Sequence, residues 1–410
     1  MRICFLSSAY PRYTGDGIAS FVRSLAVALV QIGHEVVVVA PHDPAVSATD
    51  QAGVQVHRFR YPPYSDRYLA GHGRAFEGDV RLRRWTPLLM PGFILSGVAQ
   101  ALMLHRRLSF DLFHTHWALP GSLMGAAVSS LTGRPFVASL HGSSAYFAAA
   151  NPLYTAVARQ ALGRARYVIA CSPNLHEKAL YLGAAPSRAV IIPYGVDATR
   201  YMNGDGPGMR ARLGLPAEAP LIGALGRLAY KKGFAHLIAA MPQVLAACPD
   251  ARCVIGGDGD LRDELQEQIR ALGLEERVFM VGNIPWVDTP DFYAMCDVVA
   301  VPSVVDASGN TDGLPNVLLE AMASRRAVVA SRVAGIPLAI EDGISGVLVP
   351  PAEQGELAQA LIRLLNDSAA RRRLGEAAGQ RMAEAFTWQE IASRHLELYE
   401  RAVREGKQRT

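Results

Sequence analysis

No two of the five cysteines (Cys4, Cys171, Cys248, Cys253, Cys296) are spaced C-x-x-C, no segment is low-complexity, and no dense Lys/Arg cluster is interleaved with aromatics. The first absence disfavours a zinc ribbon or a dithiol centre. Because the count is odd and Cys4 and Cys171 sit in apolar strand-like runs, reduced thiols are expected. The second excludes fibrous and disordered classes, and the third leaves no nucleic-acid footprint. Charge is sparse: 19% of residues are charged, 50% are hydrophobic, and the net charge is +4, which suits a small anionic ligand. The N-terminal "MRICFLSSAYPRYTGDG" holds only a short apolar stretch, so no signal peptide is expected and the location expected is cytoplasmic. At 410 residues the chain exceeds one ordinary core, and two domains of roughly 200 residues are expected.

Short apolar runs alternate with helical patterns. "RICFLS", "EVVVVA", "VQVHRF", "FDLFHTHW", "PFVASLHG", "YVIACS" and "AVIIPYG" read as strands of a first half. "PLIGALGRL", "RCVIGGDG", "RVFMVGN", "DVVAVPS", "AVVASRV" and "GVLVP" read as strands of a second. Several are apolar at successive positions, as in parallel sheets covered on both faces. Residues 18–32 repeat at helical spacing and end at Gly33, a C-cap signal. The fold class is therefore α/β, with two doubly wound domains. The expected boundaries are 1–197, a Gly/Pro-rich linker at 198–219, a second domain at 220–385, and a closing helix at 386–410. That last helix opens on a capping box, Thr387 with Glu390, and is expected to pack back on the first domain.

One stretch resembles a membrane span in length. Trp85 to Leu104 carries no charge over twenty residues, with Arg81, Arg83 and Arg84 before it and Arg106 and Arg107 after. Pro87, Pro91 and Gly92 interrupt it. A buried or interface helix is the first expectation, a membrane-facing surface over 81–107 the second, and a true span the last.

Candidate chemistry clusters at strand ends, which face the ligand crevice in parallel sheets. In "GRLAYKKG", Arg227 and Lys232 flank such an end and suit a diphosphate, whereas Lys231 reads as part of a solvated turn. In "DGLPNVLLEAMAS", Pro315 suits the first helical position. The N–H groups of Gly313, Leu314, Asn316 and Val317 would then form an anion site at a helix start. Glu320 lies one helical step from Asn316, placed to accept hydroxyls beside the phosphates, while Asp312 faces the other end of the ligand. By spacing alone, an ordinary loop cap and an exposed helix residue explain Asp312 and Glu320 equally well. His141 and Gly142 end a strand, and Gly15 and Gly17 precede the first helix, where backbone can approach a ligand. His114 and His116 are expected on opposite faces of a strand, which argues against a metal site. Asp258-Gly-Asp260 has the form of a metal-binding pair, but Asp260 reads better as the cap of the next helix. "GDGIAS" with Asp43 is a partial dinucleotide fingerprint and is weak.

Taken together, the two α/β halves, "GHEVVVVAP", "HTHW", "SLHG", "IIPYGVD", "GRLAYKKG", "GGDG", "VPSVVDASGNTDGLPNVLLEAMA" and "FTWQEIASRHLELY" resemble the family 4 glycosyltransferases of the GT-B fold, over nearly the whole chain. The resemblance implies two Rossmann-like domains facing a deep cleft. It also implies a retaining, metal-independent sugar transfer with no cofactor beyond the nucleotide-sugar substrate, UDP- ahead of GDP-. The acceptor would be a hydroxyl of a glycan, a lipid-linked precursor or a small molecule, and peripheral membrane contact through 81–107 would fit polysaccharide biosynthesis. Carried over by position, Arg227 and Lys232 hold the donor diphosphate, Glu320 the ribose, and Asp312 the donor sugar. Gly313, Leu314, Pro315, Asn316 and Val317 line sugar and phosphates, His141 lies near the reaction centre, and Gly15 and Gly17 lie beside the phosphates. His141, Asp312, Arg227 and Lys232 are the catalytic set implied. This chain departs from the family in three places: Asp312 replaces the usual Glu, Gly-Asp-Gly replaces adjacent glycines, and the segment before Asp312 is long. Two rival readings remain, a nicotinamide-dependent oxidoreductase and a non-catalytic sugar-nucleotide-binding protein.

Overall fold

A computed structural model describes residues 1–47, 52–62, 70–72, 74, 76–77, 81–307 and 309–407; the last three positions of the expected closing helix lie outside them. The chain divides into two units, Met1–Gly195 with Trp388–Thr410, and Val196–Thr387.

The first unit is built on a seven-stranded parallel sheet. In chain order its strands are β1 (Arg2–Leu6), β2 (Glu35–Pro41) and β3 (Gln55–Phe59), then, after a short antiparallel hairpin of β4 (Phe76–Glu77) and β5 (Arg81–Leu82), β6 (Leu112–His116), β7 (Phe136–Leu140), β8 (Tyr167–Ala170) and β9 (Ala189–Ile191). The spatial order is β3-β2-β1-β6-β7-β8-β9. Every residue of β6, β7 and β8 is buried, which is why these strands read as continuous apolar runs. Helix Ser20–Gln31 ends where Gly33 takes φ +91° and its N–H bonds back to Val30, as the sequence signal implies.

The closing helix, Trp388–Lys407, belongs to this unit. Its Ile391, Ala392, Leu398, Tyr399 and Ala402 complete the core formed by Leu25, Ala26 and Leu29 of helix Ser20–Gln31 and by the sheet. Tyr399 is fully buried, with its hydroxyl 2.7 Å from His114 Nδ1.

The second unit carries a six-stranded parallel sheet: β10 (Leu221–Leu225), β11 (Arg252–Gly256), β12 (Val278–Gly282), β13 (Val298–Val301), β14 (Ala327–Ser331) and β15 (Val347–Val349), ordered β12-β11-β10-β13-β14-β15. Strand order reverses between β10 and β13, so the loops leaving these two strands open side by side.

Residues 198–219 differ from the expected linker. They form a 3-10 turn, Thr199–Tyr201, and a helix, Gly206–Arg212, inside the second unit. Their polar composition is used for tying down: Arg210 reaches the carbonyls of Met295, Ala217 and Ala219 and pairs with Asp297 at 3.1 Å. Gly206 lies so close to Ala294 that a Cβ there would fall 2.5 Å from its carbonyl oxygen.

The uncharged stretch forms one helix, Thr86–Leu108, long and apolar enough to cross a membrane by length and composition. One of its stripes packs into the first unit. Phe93 is buried against Phe59 and Tyr61, and a Cβ at Gly97 would collide with Met124. The other stripe is open, with Trp85, Leu88 and Leu95 each about two-thirds exposed or more.

Candidate active site

The crevice of the second unit is assembled from the β10 and β13 loops. After β10 the chain makes a 3-10 turn, Tyr230–Lys232, closed by Gly233 at φ +70°. A Cβ at Gly233 would sit 1.8 Å from the Pro302 carbonyl oxygen, so only glycine lets this turn lie on the end of β13. The Val304 N–H then donates to the Lys231 carbonyl at 2.9 Å.

That docking brings two lysines onto one carboxylate. Lys232 Nζ lies 2.5 Å from one Asp312 oxygen and Lys231 Nζ 3.4 Å from the other. Burial would raise the Asp312 carboxyl, but the charges of Lys232 and then Lys231 outweigh it and hold it below its ordinary value. The reading of Lys231 as a solvated turn residue is therefore corrected: it is buried, 7% exposed, because its ammonium has a partner in Asp312. Arg227 stands exposed just past β10.

The second loop leaves β13 and enters helix Asn316–Ala323. Pro315 stands one position before the helix, with extended backbone (ψ 123°), rather than at its first residue. Gly313 is anchored through its carbonyl, which accepts from Gly335 N–H at 2.7 Å. Geometry leaves the first N–H groups of any helix, here from Asn316 onward, without partners inside it. Among the described residues, buried polar atoms without a hydrogen-bond partner gather along the same loop: Ser303 Oγ, both Asn310 side-chain heteroatoms, Thr311 Oγ1 and Asn316 Oδ1. Such groups are costly unless something polar meets them.

Glu320 is half-buried and accepts a hydrogen bond from the Tyr293 hydroxyl at 2.9 Å. Burial raises its pKa; hydrogen bonds from Tyr293 and Tyr201 and the charges of Arg200 and Lys232 offset only part of that. Nothing in the sequence pattern singled out the two tyrosines, which lie 27 and 119 positions upstream of Glu320.

In the first unit, Gly15 has φ +86°, and neither Gly15 nor Gly17 would bring a Cβ within 4 Å of another residue. Asp16 between them pairs with Arg12 at 2.7 Å and accepts from Ile18 N–H. His141 spends both ring nitrogens inside the unit: Nδ1 on the Tyr194 hydroxyl at 2.8 Å and Nε2 on His116 Nδ1 at 3.0 Å. A ligand taking either nitrogen must break one of those bonds.

The expectation for His114 and His116 is overturned. Positions i and i+2 of a strand share a face, and the two rings stand 4.3 Å apart. His114 Nε2 meets Ser139 Oγ at 2.7 Å, while His116 Nε2 is buried without a partner. His116, His141 and His395 line a small cavity together with Phe21, Tyr194 and Trp388, and the His114 ring lies 5.8 Å from that of His395. Burial drives every one of these imidazoles toward the neutral form: His141 down to about 3, His395 to about 4, His114 and His116 well below the ordinary value.

One motif reading, the Asp260 cap, resolves differently from expectation, and the weak Asp43 fingerprint stays weak. Asp260 does not cap a helix: helix Arg262–Ala271 has Leu261 at its N-cap with no side-chain bond, and it is Asp258 that accepts from Gly259 N–H and faces Arg262. Asp43 is buried against Arg74 at 2.9 Å and accepts from Ala45 N–H, commitments that compete with a ribose. Among the described residues no three His, Cys, Asp or Glu side chains gather as a metal-binding group.

Comparison with known proteins is consistent along the chain. Residues 15–200 match the family described as Glycosyltransferase Family 4, and residues 207–381 that described as Glycosyl transferases group 1. The D-inositol 3-phosphate glycosyltransferase of Kineococcus radiotolerans is 30% identical over 96% of this chain and 92% of its own. Glycogen synthase of Mycobacterium tuberculosis is 28% identical over 100% of this chain and 96% of its own. Among solved structures, Anabaena Alr3699/HepE in complex with UDP superposes with a TM-score of 0.74 at 24% identity, covering 97% of this chain and 99% of that one. Sucrose-phosphate synthase of Thermosynechococcus elongatus gives 0.78 at 23%, covering 98% and 99%. At these identities the two structures speak for the fold.

Proposed function

Because the chain belongs to the group 1 glycosyltransferases of the GT-B fold and transfers sugar from a nucleotide-sugar, we propose that it moves a hexosyl group from a UDP-sugar to a hydroxyl with retention, without a metal. The observation that carries this reading is the paired-lysine crevice at the β10–β13 switch point, with Asp312 on one side and Glu320 on the other.

In the free protein the Asp312 carboxylate occupies the place on Lys232 that a diphosphate oxygen would take. Donor binding exchanges one anion for another. Lys232, Arg227 and the N–H groups at the start of helix Asn316–Ala323 then stabilise the negative charge that grows on the leaving diphosphate. Such fixed cations do the neutralising that a divalent ion does elsewhere. Asp312, still held by Lys231, faces the electron-poor sugar. Ser303, Asn310, Thr311 and Asn316 meet sugar hydroxyls with their unpartnered polar atoms, and Glu320 takes the ribose. The first unit binds the acceptor. The acceptor proton leaves on the departing phosphate.

A thermal-shift panel of UDP, GDP and ADP with their sugars tests the donor. UDP and one UDP-sugar should raise the melting temperature by mass action, and transfer should survive EDTA. A GDP-only response overturns the base assignment, and loss of turnover with chelator, restored by Mn²⁺, overturns metal independence.

The open apolar stripe of helix Thr86–Leu108, with Arg83, Arg84, Arg106 and Arg107 at its ends, supports a lipid-linked acceptor met at an anionic membrane face. The protein should sediment with vesicles containing anionic lipid, and Leu88→Glu/Leu95→Glu should abolish this. Equal sedimentation of the variant would remove the membrane from the proposal.

A further inference from the structure

Glu320 is aimed by the side chains around it. Tyr293, on helix Thr289–Met295, is fully buried, and its hydroxyl donates to Glu320 Oε2 at 2.9 Å. Tyr201, 4% exposed on the 3-10 turn Thr199–Tyr201, helps through its hydroxyl to hold down the pKa of the same carboxylate. The Tyr201 hydroxyl is itself met by Thr289 Oγ1 at 3.4 Å. The two phenol rings stack edge to face, with centroids 5.9 Å apart. Arg200, beside Tyr201, is fixed in turn: its guanidinium lies 3.2 Å from the Trp286 ring centroid and donates to the Trp286 carbonyl. Two segments far apart in sequence thus converge on a carboxylate borne by a third.

We propose that Tyr293, assisted by Tyr201, is the positioning residue for the nucleotide ribose: its hydroxyl engages Oε2, fixes the plane of the Glu320 carboxylate, and leaves Oε1 to accept from the sugar diol. This rests on the reading of Glu320 as the ribose ligand and deepens it. The physical argument is preorganisation. A glutamate carboxylate turns freely about its last bond, and a diol that must align it loses part of the interaction to that ordering. A buried phenol with its own packing supplies the alignment in advance. It also satisfies a lone pair that would otherwise be buried with no donor. Neither tyrosine needs to touch the nucleotide for this.

Calorimetric titration with UDP and 2′-deoxy-UDP tests the inference on the whole protein. The parent protein should prefer UDP by tenfold or more. Tyr293→Phe should weaken UDP by about tenfold, the worth of one hydrogen bond to a charged group, and leave 2′-deoxy-UDP within twofold. In turnover, donor KM should rise while kcat stays, because binding is lost equally in ground and transition states. Tyr201→Phe should move the same ratio by a smaller factor, and it carries the test if Tyr293→Phe does not fold. Equal weakening of both nucleotides, or none of either, overturns the positioning role. If the parent protein binds the two nucleotides alike, the ribose assignment of Glu320 fails first, and the clamp with it. If it binds neither, the proposed donor site is wrong.

Discussion

Lys232→Ala should lower kcat by about 10²–10³, the usual cost of removing one preorganised charge stabiliser from a transition state. The expectation comes from where the ammonium sits. Lys232 Nζ is already 2.5 Å from an anionic oxygen, that of Asp312, in a crevice where both partners are largely shielded from water. A charge pair at about 4 Å and an effective dielectric near 20 is worth roughly 4 kcal/mol before desolvation. Folding should survive, because Lys231 remains on Asp312 and the turn is held by Gly233 against Pro302. Steady-state kinetics beside a melting curve separates the outcomes. Turnover within a few-fold of the parent protein, with the melting temperature unchanged, would show that Lys232 does not meet the leaving group. Lys231→Met offers the contrast. Asp312 keeps its nearer partner, Lys232, so this variant should lower kcat far less than Lys232→Ala does.

Acid should be the weak side of the first unit. Five of its histidines, His72, His114, His116, His141 and His395, are held neutral by burial. Their folded pKa values lie below the unfolded value near 6.5, at about 4 for His72 and His395 and about 3 for His141. The unfolded chain therefore takes up protons first as pH falls. Stability is complete above about pH 6.5 and is lost progressively as pH drops toward the folded values. By linkage, a histidine held near 4, as His72 and His395 are, costs about 2 kcal/mol at pH 5. A few of them together rival the whole stability of an ordinary domain. Trp117, whose ring centroid is 5.3 Å from that of His141, reports on the cluster by fluorescence. The melting temperature should fall steeply between pH 6.5 and 5, and His395→Leu should make the fall shallower by one proton. A melting temperature unchanged from pH 7.5 to 5 would mean that water or a local opening already serves these rings.

Much of the architecture was legible beforehand because of how parallel sheets are covered. A strand with helices on both faces is apolar at successive positions, so many strands of the two large sheets stand out as runs, while the edge strand β3 carries polar Gln55, His57 and Arg58. The hairpin at Phe76–Glu77 and Arg81–Leu82, two residues a side, left no such trace. The crevice was legible for a related reason: functional loops leave the carboxyl ends of strands at the point where their order reverses, and "GRLAYKKG" and "DGLPNVLLE" both follow strands of that kind.

By itself, then, the sequence determined the two α/β halves, the position of Lys232 and Asp312 in loops that follow strands, and the family, because local patterning and chain order carry those. Tertiary structure alone decided what each charged group touches. Lys231 and Lys232 are neighbours in a doublet, and only the close approach of Gly233 to Pro302 turns both onto Asp312. Tyr293 reaches Glu320 because one helix is laid beside another, and Tyr399 reaches His114 across 285 positions of chain. Hydrogen bonds and ion pairs are short-ranged and directional, so their partners are set by folding in space, and residue spacing along the chain does not encode them.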